Sequence, residues 1–209
     1  MQIGNMTSGA GGTPGYDEAN RMAAFTAVSG GTEYYGYAPD NKRIYRLLPD
    51  HQSEELTLSG VRGKKLATYY IVGPGTYFTI QKGFVDFGGK LIWEGPFYGG
   101  QSAPGGAGGA VFQDRLGTNR ESGARFRPYG DEVGGPNAKA IDRQKFGTHN
   151  RDGFSDLDYA EQRMYASSLG RFNTADSAPN SRITDPISWN KYSYDKGDIL
   201  DIMKGVGCK

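Results

Sequence analysis

The sequence predicts a mainly β protein, an antiparallel hairpin meander curling into a partial shell or barrel, with little helix. Three observations carry this. Among 209 residues, 33 Gly and 10 Pro interrupt any long helical run, since Gly is entropically costly there and Pro lacks the amide donor. The 14 Tyr and 10 Phe favour pleated strands, where rings pack across the ladder. Apolar and aromatic runs of strand length recur between clusters of Gly, Pro, Asn and Asp, the punctuation of successive hairpins.

Residues 1–50 carry a degenerate repeat. Gly4-Asn5-Met6, then Tyr16-Asp17-Glu18-Ala19-Asn20-Arg21-Met22, then Tyr35-Gly36-Tyr37-Ala38-Pro39-Asp40-Asn41-Lys42-Arg43 present the same order of aromatic residues, a turn with Asp or Asn, and a basic exit. The asparagines fall 15 and then 21 residues apart, which suits hairpins with loops of variable length. Asn and Asp fit such turns because their short side chains bond the nearby backbone and tolerate the left-handed conformation. Tyrosines facing one another on paired strands add about 0.2–1 kcal/mol per pair.

Residues 51–98 form a central block of hairpins. Leu56, Leu58 and Val61 lead into Lys64–Tyr70, followed by Tyr77–Ile80, Phe84–Phe87 and Gly88–Trp93, each bounded by Gly or Pro. Residues 99–110 are Gly-rich and low in complexity, a loop, and Gly134–Ala140 is a shorter loop of the same kind. Residues 111–198 make a closing module and residues 199–209 a divergent tail. Within the module, Leu157, Tyr159, Glu161, Arg163 and Tyr165 alternate as on one strand face, although Ala160, Glu161, Gln162 and Met164 are also helix formers.

The motifs of this module are specific in order and spacing. They are Asp114-Arg115-Leu116-Gly117, then Pro128-Tyr129-Gly130, then Leu169-Gly170-Arg171-Phe172 with Thr174 and Asp176. Asp185-Pro186 and Ser188-Trp189-Asn190 follow, with Tyr192 and Tyr194. Together with Tyr16-Asp17 upstream, they resemble the RHS repeat-associated core domain, the closing module of bacterial RHS/YD-repeat proteins. The resemblance runs from about Gly4 to Asp198. It implies strand rather than helix over Leu157–Tyr165, a β-sheet shell around secreted cargo, and an extracellular or cell-surface location. In Tyr37-Ala38 the aspartate of the second repeat is lost.

The same resemblance implies a catalytic expectation that the residues then contradict. Family members release a C-terminal toxin by self-cleavage, attributed to paired aspartates. Two close carboxylates cannot both ionise, so one keeps its proton as acid while the other activates water. Here the first Asp-Pro reads Asp176-Ser177, and the terminal segment reads Gly197-Asp198-Ile199-Leu200-Asp201 with Lys204 at the place of the second aspartate. A lysine beside a carboxylate holds it ionised, the reverse of a shared-proton pair. Asp176, Asp198 and Asp201 stay as weak catalytic candidates for a re-registered pair.

Other chemistries find little support. Net charge is +1, from 24 Lys+Arg against 23 Asp+Glu, and gives no electrostatic case for nucleic acid. No apolar run reaches a membrane span, and the first residues lack the basic and apolar regions of a signal peptide. Cys208 is the single cysteine and His51 and His149 the two histidines. They show no metal-ligand spacing, and the histidines read as solvent-facing. No nucleophile elbow or phosphate loop is present, so neither metal nor cofactor is expected. Tyr34, Tyr35, Tyr37, Tyr69, Tyr70 and Trp93 offer either cross-strand packing or a glycan-stacking platform. Asn5-Met6-Thr7 matches a glycosylation sequon.

The expectation is therefore a non-enzymatic structural module that associates with copies of itself, into filaments where the contact does not close, or with a larger RHS-type shell. Two or three repeats leave strand edges that pair readily with another chain. A self-cleaving toxin-delivery fragment and a carbohydrate-binding surface are the alternatives.

Overall fold

The computed structural model describes residues 4–9, 11–60, 63–72, 77–95, 109–120, 125–133, 144–177 and 181–194. Nine strands form one open antiparallel sheet in chain order. They are β1 (Gly12–Tyr16), β2 (Met22–Ala27), β3 (Thr32–Tyr37), β4 (Arg43–Leu47), β5 (Ser53–Ser59), β6 (Lys65–Val72), β7 (Tyr77–Phe87), β8 (Lys90–Gly95) and β9 (Gly109–Ala110). A second antiparallel sheet contains β10 (Asn150–Arg151), β11 (Asp158–Ala160), β12 (Arg163–Ala166) and β13 (Arg171–Phe172), again in chain order. A short 3-10 helix spans Pro186–Trp189. The predicted mainly β meander is what forms, and the sheet does not close into a barrel.

One turn recurs through both parts of the chain. At 17–21, 27–31, 38–42, 60–64, 114–118 and 127–131, the first residue's N–H donates to the last residue's carbonyl. The fourth residue's N–H donates back to the first carbonyl. The fourth residue has positive φ in every case: Asn20 and Asn41 at 65°, Gly63 at 70°, Gly117 at 80°, Gly130 at 86° and Gly30 at 95°. This is the three-residue hairpin loop ending in a left-handed bulge. Just beyond three of these turns, the register shifts at Gly15/Tyr16, Gly36/Tyr37 and Leu58/Ser59 add a second bulge, with Ala23, Ile44 and Leu66 as the extra residues of the returning strands. Asn20 and Asn41 of the repeat are thus the left-handed residues of their turns.

Tyrosine hydroxyls tie successive turns together. Tyr16 donates to the Met6 carbonyl at 2.9 Å and Tyr37 to the Met22 carbonyl at 2.6 Å. In the next position Tyr159 accepts the Arg43 N–H at 2.7 Å, so the second sheet takes over where the first repeats stop. Between the sheets lies an apolar core of Met22, Phe25, Ala27 and Tyr35 against Leu157, Met164 and Ala166. Phe25 and Phe154 meet edge to face at 6.3 Å. Each fully buried side chain of this size contributes about 1.5–3 kcal/mol.

Three expectations are corrected. Leu157–Tyr165 is a hairpin and not a single strand face: Asp158 pairs with Tyr165 and Tyr159 with Met164. The chain reverses at Glu161 (φ 61°), which lets Leu157 and Tyr165 both enter the interior. Tyr77–Ile80 and Phe84–Phe87 are one strand, since Gln81, Lys82 and Gly83 are covered and continue the ladder. His149 is enclosed by Tyr165 and Tyr194, whereas His51 is exposed. Residues 99–108, 134–140 and 195–209, with the loops and tail predicted there, lie outside the described residues.

Candidate functional site

Charge, and not only apolar area, joins the closing module to the large sheet. Beyond Tyr35 the covered face of the sheet becomes polar, with Glu33, Arg43, Arg46, Glu55, Thr68, Gln81, Lys82 and Glu94 all buried. Cross-strand register sets Tyr35 opposite Arg46 and Arg46 opposite Glu55. Asp152, just after β10, enters this row from the second sheet. It takes both terminal nitrogens of Arg43 at 2.5 and 2.8 Å and lies 3.8 Å from Arg46. Arg46 also pairs with Glu33, and Tyr35 donates to Glu33 at 2.8 Å. Burial pushes the Glu33 carboxyl up, with the Asp152 charge acting the same way against Arg46. Burial also works against the Arg43 charge, but Asp152 outweighs it and holds Arg43 above its ordinary value.

A second ionic node sits inside the module. Arg151 donates to both oxygens of Asp158 at 2.9 Å, to the Gly130 carbonyl at 3.0 Å and to Ser167 Oγ at 2.9 Å. Glu132 lies 3.4 Å from Lys145 and 3.7 Å from Arg151. These acidic and basic residues were not singled out by the sequence reading. The legible signal was weak: single charges inside runs that otherwise read as strand.

The motif residues occupy turns and packing positions. Asp17 accepts the Arg21 N–H and Nε at 2.8 Å each. Partial burial opposes its charge, but these bonds to Arg21 hold the Asp17 carboxyl below the usual range. Asp114 does the same in its own turn, accepting N–H groups of Leu116 and Thr118 at 2.9 Å and the Arg120 guanidinium at 2.8 Å. The two aspartates of the separate motifs therefore have one job, fixing the same turn. Gly117 lies so close to Thr148 that a Cβ there would stand 2.3 Å from its methyl carbon. Arg115 is exposed and Leu116 half-buried.

Gly170, Arg171, Asn190 and Tyr192 converge on one cleft of about 540 Å³, together with Arg127, Tyr129 and Tyr194. Arg171 bridges to Ser193 through the backbone and its side chain is exposed. Phe172 is buried beneath the Arg163 guanidinium, 3.8 Å from its ring centre, and touches Tyr165 at 5.3 Å. Asn190 accepts the Tyr192 N–H at 3.2 Å, and Trp189, 61% exposed, donates Nε1 to the Arg182 carbonyl at 3.0 Å. Tyr192 donates to the Gly4 carbonyl at 2.8 Å, and Met6 N–H to the Asn173 carbonyl at 2.9 Å. The motifs thus fasten the first described residues to the last. A smaller cavity of about 110 Å³ lies on the seam between sheet and module, lined by Lys42, Lys64, Lys65, Gln113, Asn150 and Tyr159.

Asp176 stands 3.7 Å from Arg163, its N–H bonded to the Lys191 carbonyl at 2.9 Å. Asp198 and Asp201 lie outside the described residues. Asp176 is thus engaged in an ion pair with Arg163. Among the described residues no group of three His, Cys, Asp or Glu side chains is placed to hold a metal ion, and no helix is long and apolar enough to cross a membrane. Tyr34 and Tyr35 fall on opposite faces of β3, Tyr34 exposed and Tyr35 buried, so these two tyrosines do not build a common platform.

No family profile and no curated protein sequence matches the chain. Solved structures do. It is similar to a crystal structure of TcdB2-TccC3, with TM-score 0.64 and 14% identity over 91% of this chain and 10% of that one. The Photorhabdus luminescens Tc holotoxin pore matches with TM-score 0.64 and 13% identity over 93% of this chain and 10% of that one. A TcdB2-TccC3-Cdc42 structure matches with TM-score 0.56 and 14% identity over 94% of this chain. At these identities the likeness is one of fold, and the chain spans about a tenth of the length of the toxin-complex chains it resembles.

Proposed function

We propose that this chain is a non-enzymatic structural module, a stretch of RHS-type shell wall with its closing plug, acting by assembly outside the cell or at its surface. On this reading the matched tenth of the toxin-complex chains is shell wall of the same kind. The observation that carries it is the arrangement itself. A meander in strict chain order is covered on one face by a four-stranded plug, and the motif residues go into turns and ion pairs. Asp17, Asp114, Asp152, Asp158 and Asp176 each face a guanidinium, which suits fastening.

Self-association is the finer part of the proposal. The β1 edge is guarded. Gly12 spends its outward N–H and carbonyl on Gly9, and strand alternation then puts Pro14, which has no N–H, at the next outward position. Assembly therefore uses another surface than β1. Light scattering with negative-stain imaging of the purified protein tests this. Discrete dimers, rings or filaments support assembly, and a monomer at every concentration removes self-association and leaves a wall segment that needs a larger shell.

A further inference from the structure

One contact on the seam between sheet and plug brings an amine to a carboxamide. Lys65 Nζ donates to Asn150 Oδ1 at 3.1 Å, across 85 positions of chain. Both residues are held by their ladders. Lys65 opens β6, paired with Ser59, and its ammonium lies over the Phe84 ring, 5.3 Å from the centre. Asn150 opens β10, where it pairs with Tyr159 and bridges Gln144. Phe84 stands opposite Glu94, which is 8% exposed and lies 3.4 Å from Lys82. Lys65, Asn150 and Glu94 line one small cavity of about 10 Å³, with Phe84, Lys82 and Gln144 among its other walls. That is room for about one water. Glu94 is the one carboxylate among the described residues around it.

We infer that Lys65 and Asn150 join through an isopeptide bond that the folded chain forms by itself. Glu94 takes a proton from the Lys65 ammonium, and the neutral amine attacks Asn150 Cγ, the atom bonded to Oδ1. The Nζ–Cγ bond forms and the Cγ–Nδ2 bond breaks. Nζ goes from three protons to one, and both protons it gives up depart on Nδ2 as an ammonium ion, one of them relayed by Glu94. Nothing is oxidised or reduced, and no co-reactant enters. Carboxamides resist amines in dilute solution, but two strands that hold the pair in contact make the reaction intramolecular. The larger seam cavity of about 110 Å³, also lined by Lys65 and Asn150, is the exit for the ammonium. Its loss to solvent makes the step one-way. The chain has one cysteine, so no internal disulfide can fasten sheet to plug. This bond ties β6 to β10 instead. It follows folding, so the purified chain carries it from the start, whether or not copies assemble.

The test is the intact mass of the purified full chain, with tandem mass spectrometry of its tryptic peptides. The mass is expected to fall below that of the sequence by one ammonia, about 17 Da. One branched peptide is expected to hold Lys65 joined to Asn150, with cleavage after Lys65 lost. Lys65→Arg, Asn150→Ala and Glu94→Gln are each expected to restore the full mass, while circular dichroism shows that they still fold. The wild-type measurement decides the bond without any variant: the full sequence mass overturns it. A loss of ammonia without the Lys65–Asn150 peptide, from cyclisation at another Asn or a link to Gln144, overturns it as well. A loss of ammonia that persists in Glu94→Gln overturns the role of Glu94 as proton carrier.

Discussion

Arg43 and Asp152, 109 residues apart in sequence, meet as a buried two-pronged ion pair with contacts of 2.5 and 2.8 Å. Arg43 lies on the large sheet and Asp152 follows the first strand of the plug, so this contact fastens the two sheets. Arg46, Glu33 and Glu55 continue the same buried row, and Met22, Phe25, Leu157 and Met164 supply the apolar part of the seam. Removing either half strands a charge in a dry interior.

Asp152→Ala is expected to destabilise the protein by about 3–5 kcal/mol, the cost of leaving a buried arginine uncompensated. Replacing both partners, Arg43→Met with Asp152→Leu, is expected to recover most of that loss, because the desolvation cost of both charges disappears. Urea unfolding of the three variants measures this. Equal losses in the single and double variants would mean that the pair contributes through packing alone.

His149 makes stability fall in mild acid. Burial, with the Arg151 charge beside it, pushes the imidazole down to about 4 from an ordinary 6.5. Above pH 6.5 it is neutral in both states. As pH falls from 6.5 to about 4, the unfolded chain takes up the proton and the folded one does not, so stability drops. Below about 4 both are protonated and the loss is complete. The full effect is on the order of 3 kcal/mol. Burial raises Glu33 and Asp158, which acts in the opposite direction, so the difference between wild type and His149→Phe isolates the histidine. Parallel pH–stability curves for the two proteins would refute this assignment.

Gly117→Ala and Gly88→Ala both place a side chain at positive φ, 80° and 58°. A Cβ at Gly117 meets Thr148 at 2.3 Å, and one at Gly88 meets nothing within 4 Å. Gly88→Ala is expected to cost about 1 kcal/mol, the backbone cost alone. Gly117→Ala should cost at least twice as much, since the turn at 114–118 must shift away from the 145–149 loop. Thermal unfolding decides it, and equal costs would show that the two loops are not tightly packed.

Purified protein is expected to keep its intact mass through prolonged incubation, because Arg163 faces Asp176. Lys204→Ala is expected to change nothing. A shorter product from Lys204→Ala that disappears in the further Asp176→Asn variant would revive aspartyl self-cleavage.

Much of the fold could be read from the chain. Asn20 and Asn41 announced their turns because the left-handed conformation is a local property of one residue and its neighbours. The same locality made Asp17 and Asp114 recognisable as motif residues and the strand-length runs recognisable as hairpins. Reversal at Glu161 was hidden, since neither Glu nor Gln signals positive φ and only the burial of Leu157 and Tyr165 on both sides favours it. The passage of β7 through Gly83 was hidden for a related reason, as glycine reads as a break until neighbouring strands hold it in the ladder. The sequence by itself therefore determined the turns, the strand content and the order of hairpins, all set within a few residues by backbone sterics and side-chain reach. Tertiary structure alone decided which face each strand turns inward, that Glu33, Arg46, Glu55 and Asp152 share one buried row, and that His149 is enclosed. Those outcomes depend on contacts between strands and loops separated in sequence, from 13 positions for Glu33 and Arg46 to 109 for Arg43 and Asp152, where desolvation and charge pairing are settled by what the rest of the chain brings near.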